Sequence, residues 1–335
     1  MARTHPARGG GGLASPGDAT GLGRRSSAVA RGGGSAIRAS DPGSSRPLAA
    51  GHGHAPVSTA ERGSATDRRR DSAPSDDAAR LGNPSFVWRF GQERRLAILS
   101  RFVSLRGALV LDLGCGVGEY VRAFQREGAR AIGLDIEPQR LAEARRRQAG
   151  AGGGGAPAAL VAAAGERLPL RDGCLDVAVL NEVIEHVSDD AATLREVRRV
   201  LKPGGGTCVI FAPNRLYPFE THGVYIGRRY VFGNIPLVNW LPDVARARLV
   251  PHARAYRHGD WERLARSAGL EIVHHGYVYP GFDNVAARWP RIASILRAAC
   301  YRAEGTPAAR LGLSHFVVLR RGGGPGARAP EGGDG

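Results

Sequence analysis

Lysine is almost missing from this 335-residue chain: Lys202 is the only one, so nearly all of its positive charge is arginine. In a chain also crowded with glycine and alanine, this bias reads as GC-rich coding rather than a selected basic patch. A formal net charge of +16 would otherwise point to nucleic acid or anionic lipid. The arginines are dispersed, and no interleaving of aromatic and basic residues marks a nucleic-acid platform. Cysteine is scarce too. The 4 present (Cys115, Cys174, Cys208, Cys300) include no CxxC pair and read as free thiols in a reducing cytoplasm. No apolar run approaches the length of a membrane-spanning helix, and no apolar h-region follows the basic start. A cytoplasmic protein without stable membrane insertion is the expectation.

Residues 1–82 are rich in Gly, Ser, Ala, Arg and Pro, with too few large apolar side chains to offset the entropy of ordering. They are expected to be disordered, as are residues 322–335 and the loop Gly150–Gly155. His52 and His54 form no metal set, because nothing nearby completes one. Arg68-Arg69-Arg70 reads as part of a solvated tail. One folded domain is expected over residues 83–321.

The densest signal is Leu109-Val110-Leu111-Asp112-Leu113-Gly114-Cys115-Gly116-Val117-Gly118. A short apolar run ending on a carboxylate reads as a buried parallel strand. The alternating glycines permit a sharp turn and close approach of a ligand before a helix from Glu119. Asp112, with one residue between it and GxGxG, suits a cationic or neutral ligand better than a pyrophosphate. Ala131–Asp135 reads as a second strand, placing a carboxylate where ribose hydroxyls can be held. Leu168-Pro169-Leu170, Leu175–Leu180 and Leu201-Lys202-Pro203-Gly204-Gly205-Gly206 follow in order. With these motifs the chain resembles the class I S-adenosylmethionine (SAM)-dependent methyltransferases, of the small-molecule type 11-like kind.

Periodicity around the motifs alternates strand and helix. Helices are predicted over Glu93–Leu99, Glu119–Glu127, Gln139–Gln148, Asp190–Val200, Gly259–Ala268 and Arg291–Arg302. Strands are predicted near Leu134 and over Leu160–Ala164, Thr207–Ala212, Glu271–Val278 and His315–Leu319. The alternation implies an α/β fold, a mostly parallel sheet clothed by helices on both faces. The resemblance makes it a Rossmann-like seven-stranded sheet with its last strand antiparallel.

The resemblance also implies a cofactor, SAM, and roles in holding it. Asp112, Gly114, Cys115, Gly116 and Gly118 would take the methionine part, and Asp135 with Ile136 the ribose. Gly165 and Glu166 would border the adenine, with Ala164 where the family often has an aspartate; Asn181 is a further cofactor-binding candidate. Neither a [DNS]PP[YFW] tetrapeptide nor a Pro-Cys nucleophile follows the fourth strand, so nucleic acid is not the expected substrate. Glu185-His186 instead resembles the EH of small-molecule methyltransferases.

Residues 213–258 are long for a connection and rich in aromatics, and they leave the carboxyl end of a central strand. They read as a substrate lid, with His222 as a base, His186 a second candidate, and Asn214, Glu220 and Tyr225 facing the acceptor. No metal is called for. The expected reaction is methyl transfer to a partly apolar small molecule, on oxygen rather than carbon, such as a quinol, polyketide or lipid-linked sugar. A nicotinamide-dependent oxidoreductase and a non-catalytic SAM-binding module are the alternatives.

Overall fold

A computed structural model of the chain describes residues 87–150 and 157–322. The expectations for residues 1–82, for most of Gly150–Gly155 and for the 323–335 stretch fall outside these residues.

The chain enters through α1 (Phe90–Leu99). Strands and helices then alternate: β1 (Leu109–Leu113), α2 (Glu119–Arg126), β2 (Arg130–Asp135), α3 (Pro138–Gly150), β3 (Ala159–Ala162), β4 (Val177–Asn181), α4 (Asp190–Val200) and β5 (Thr207–Pro213). The lid region contributes four very short strands, β6 (Phe219–Glu220), β7 (Val224–Ile226), β8 (Arg229–Val231) and β9 (Ile235–Pro236), and α5 (Asp243–Leu249). Next come α6 (His258–Ala268), β10 (Glu271–Val278), α7 (Asp283–Arg288), α8 (Pro290–Ala303) and β11 (Ser314–Arg320).

Seven strands form the main sheet in the order β10-β11-β5-β4-β1-β2-β3. β1 to β5 run parallel, and β11 lies antiparallel between β5 and β10. Side chains along a strand alternate between faces, so each strand feeds two cores. Leu111, Leu113, Leu180 and Ile210 pack with Leu194 and Val197 of α4 and Trp261 of α6. Val110, Val179, Val209 and Phe211 pack on the other side, with Leu96 and Leu99 of α1, Phe124 of α2 and Leu141 of α3. This is the layered sheet the sequence implied. The strand order reverses between β1 and β4, and open α/β sheets bind ligands at the carboxyl ends of such a point.

Predicted and observed element ends differ by a few residues. β3 stops at Ala162 rather than Ala164, and β4 begins at Val177 because Leu175 makes only an isolated bridge with Leu201. Val224, Val238, Val250 and Ala253 give the lid region a small core of its own. The region is stitched to the turn after β4: Arg254 donates backbone and side-chain hydrogen bonds to the carbonyls of Glu185, Val187 and Ser188, and Tyr256 Oη donates to Ile184 O at 3.0 Å.

Candidate active site

The glycine turn leaves β1 with three residues in the left-handed region: Gly114 (φ 75°), Gly116 (φ 54°) and Gly118 (φ 79°). Side chains rarely adopt this conformation. At Gly114 there is also no room, since a Cβ would stand 2.3 Å from Val183 Cγ2. Gly118 is the N-cap of α2, whose free amides point back into the turn. The amides of Gly114 and Cys115 both donate to Leu134 O, at 2.6 and 2.9 Å, locking the turn onto β2.

Two buried carboxylates flank the turn. Asp135, 2% exposed, accepts from Gly116 N at 2.8 Å and from Glu137 N at 2.9 Å. Asp112, 3% exposed, has its Oδ2 buried with no hydrogen-bond partner. Burial, and then the charge of Asp135, push the Asp112 carboxyl well above its ordinary range. An orphaned carboxylate oxygen beside a glycine cradle is what an ammonium-bearing ligand would complete. Ile136 is left 68% exposed beside Asp135, while Cys115 is buried and its thiol pushed up by burial.

Glu166 and Gly165, expected to border an adenine, have protein work of their own. Glu166 Oε1 accepts from the amides of Ser188 and Asp189, at 2.7 and 3.2 Å, bracing the entry to α4. Gly165 lies against Thr193, where a Cβ would come within 3.1 Å.

Sequence reading overlooked the next group. Arg95 on α1 donates to Asn181 Oδ1 at 2.6 Å, to Glu182 Oε1 at 2.7 Å and to Ser314 Oγ at 3.0 Å. Glu182 adopts φ 56°, a sharp non-glycine turn of the sort that clusters at functional sites. Burial alone would raise its carboxyl, but Arg95 and Ser314 hold it below the ordinary range. Arg95 therefore ties Asn181 and Glu182, at the end of β4, to Ser314 at the start of β11. A lone arginine in a helix that precedes the first strand carries no sequence signal for this task.

After β4 and in the lid region, Glu185, His186 and His222 converge, with one ligand-type atom from each lying within 4.8 Å of the others. Both Glu185 oxygens are buried without a hydrogen-bond partner. His222 Nε2 is 3.7 Å from Glu185 Oε1, and His186 Nε2 is 3.8 Å from it. His222 Nδ1 donates to Glu220 Oε1 at 3.0 Å, and Glu220 Oε2 accepts from Arg246 at 2.6 Å. Burial opposes charge on His222, yet Glu185 and Glu220 together lift it to about 10. Burial likewise opposes charge on Glu220, but His222 and Arg246 hold it at about 2. The two carboxylates thus favour a proton, or another cation, at His222.

Two of the expected acceptor contacts are otherwise engaged. Asn214, 1% exposed, donates to the carbonyls of Arg310 and Gly312 and accepts from Leu216 N, so it pins the chain after β5. Glu220 is equally buried and orients His222 rather than facing an acceptor. Tyr225 is 39% exposed and packs against Tyr230 and His252. A cavity of 860 Å³ opens beside the cluster, with Glu185, His186 and His252 in its wall.

A family profile described as "Methyltransferase domain" matches residues 111–209. Malonyl-[acyl-carrier protein] O-methyltransferase of Serratia marcescens is 31% identical over 220 residues, covering 64% of this chain and 82% of that protein. Ubiquinone biosynthesis O-methyltransferase of Sodalis glossinidius is 34% identical over 139 residues, 42% of this chain. The chain spans 54% of that relative's length, about half. Among solved structures, a SAM-dependent methyltransferase from Mesorhizobium loti aligns with 68% of this chain and 96% of its own, at 23% identity and a TM-score of 0.48. The chain belongs to the SAM-dependent methyltransferase family. SAM is the cofactor of that family, and membership sets aside the nicotinamide alternative.

Proposed function

We propose that the chain transfers the methyl group of SAM to a hydroxyl oxygen of a small-molecule acceptor. The observation that carries this reading is the buried Asp112 Oδ2, without a hydrogen-bond partner, beside the glycine turn. The O-methyltransferase names of the Serratia and Sodalis relatives support oxygen as the acceptor atom.

When bound, SAM supplies an activated methyl and its own leaving group, so the protein's task is largely positioning. Asp112 and the backbone of Gly114 and Gly116 would hold its amino-acid end, and Asp135 its ribose. Arg95 fixes Asn181 and Glu182 at the end of β4, and so sets the boundary between cofactor and acceptor. We assign loss of the acceptor's proton to the Glu185, His186 and His222 cluster. The aromatic residues of 213–258 favour an acceptor with an apolar part, of quinol, polyketide or lipid-linked type.

Calorimetry with SAM and S-adenosylhomocysteine tests the cofactor half, and S-adenosylhomocysteine release across a panel of hydroxylated acceptors tests the rest. Micromolar binding with turnover of a hydroxylated acceptor is the expected result. Binding with no turnover across the panel would favour a non-catalytic SAM module. No binding by folded protein would overturn the reading.

A further inference from the structure

We propose that Glu185, His186 and His222 form a divalent-metal site at the acceptor side of the pocket. This rests on the methyltransferase reading for its role, but not for its existence.

The ligand atoms converge on a point where the protein places no donor. Glu185 is fully buried, and neither oxygen has a hydrogen-bond partner. A buried carboxylate left in that state is destabilising unless a cation is supplied. The two imidazoles are turned to supply lone pairs. His186 Nδ1 donates to the carbonyl of His252 at 2.9 Å, which leaves Nε2 directed toward Glu185. His222 Nδ1 donates to Glu220, which likewise leaves its Nε2 on the Glu185 side. Glu220 is itself held by Arg246, which in turn donates to Asn239 Oδ1 and Ala253 O. Metal-ligating histidines almost always donate their other ring nitrogen to a carboxylate or carbonyl, which fixes tautomer and orientation. Here one histidine uses each kind of partner. A single proton on His222 would satisfy one Glu185 oxygen and leave His186 Nε2 unengaged by it.

Two imidazoles and one carboxylate suit a borderline cation such as Zn²⁺, Mn²⁺, Fe²⁺ or Co²⁺ better than Ca²⁺, which takes six to eight oxygens. Three protein ligands leave coordination positions open for water and substrate, as catalytic sites do. The open side is supplied by His186, whose side chain is 44% exposed and lines the cavity. An acceptor hydroxyl bound there would lose its proton more readily. The O–H bond breaks, the proton passes to solvent water, and the electron pair stays on the metal-bound oxygen as the nucleophile. The cation thus does what the sequence assigned to a histidine base.

The test is titration of the full chain, free of any polyhistidine tag and stripped with chelator, with Co²⁺ followed by visible absorption. One equivalent is expected to bind at micromolar or lower Kd. His186→Ala and His222→Ala are each expected to weaken it by at least tenfold, and Glu220→Gln by about tenfold. SAM binding by calorimetry is measured on the same samples. Should the variants fold poorly, spin-echo spectra of Mn²⁺-loaded wild type must show nitrogen coupling from imidazole. Wild type that binds SAM but neither metal, or Co²⁺ binding indifferent to both histidines, overturns the site. Metal binding without SAM binding would uphold the site and overturn the cofactor reading instead.

Discussion

The amide of Gly116 donates to Asp135 Oδ2 across 2.8 Å, so the turn after β1 and the end of β2 form one piece of structure. Asp135 therefore shapes the turn, and on the proposed reading the remaining lone pairs of its carboxylate would hold a ribose. Asp135→Ala is expected to weaken SAM binding at least tenfold, about 1.4 kcal/mol, in calorimetry. Asp135→Asn, which keeps one acceptor oxygen, should lose less.

Asp112 makes a prediction about the free protein. Its carboxyl is raised in the folded state, so near neutral pH the unfolded chain is more stable relative to the folded one than it would be without this group. Asp112→Asn should raise the melting temperature of the cofactor-free protein at pH 7, by about 1.4 kcal/mol of stability for each tenfold by which burial weakens this acid. The gain should fade as pH falls through the ordinary carboxyl value of 3.8, below which both states are protonated. SAM affinity should fall in the same variant, so stability and binding move in opposite directions.

Gly114 is constrained twice, by φ 75° and by Val183. Gly114→Ala should cost about 2 kcal/mol or more in denaturant unfolding. Adding Val183→Ala removes the clash but not the backbone strain, so the double variant should recover only part of the loss.

Arg95 neutralises Glu182 at 2.7 Å, with the two side chains only 11% and 17% exposed. Arg95→Ala strands that carboxylate and should destabilise by about 3 kcal/mol. Arg95→Lys cannot reproduce the fork to Asn181, Glu182 and Ser314 and should be intermediate. A chemical-denaturation series separates the three proteins.

Acid sensitivity should trace to His275 and His315. His275 Nε2 donates to His315 Nδ1 at 2.9 Å, and His315 Nε2 donates to Tyr256 O at 2.8 Å. Burial lowers His275 to about 3 and His315 to about 4. The unfolded chain takes up protons below pH 6.5 that the folded chain refuses. Stability therefore falls on acidification by about 1.4 kcal/mol per pH unit for each such proton. His315→Gln should flatten that fall between pH 6.5 and about 4, measured by melting curves.

Much of this was legible in local pattern. β1 and the glycine turn announce themselves because strand, carboxylate and glycines are contiguous, and α4 and β10 match their predicted spans because apolar spacing fixes them. What the sequence hid is held together by distance. His222 comes near Glu185 where Arg254 and Tyr256 stitch the lid region to the turn after β4. Arg95 lies before the first strand and Ser314 opens the last described one, yet both touch Glu182. Asn214 and Glu220 looked like substrate ligands because they are polar residues in a candidate lid. Burial gives both another use.

β11 wedges between β5 and β10, and this has a consequence for how the chain is made. Through synthesis of everything from Asn214 to Leu313, the outer edge of β5 has no partner strand. Its residues Cys208, Val209, Ile210 and Phe211 are apolar and end wholly buried. An unpaired edge of that kind invites association with other nascent chains. Only when residues 314–320 leave the ribosome does the edge close, and the same event delivers Ser314 to Arg95 and Glu182. Completion of the sheet and completion of the pocket are therefore a single late step in the life of the polypeptide.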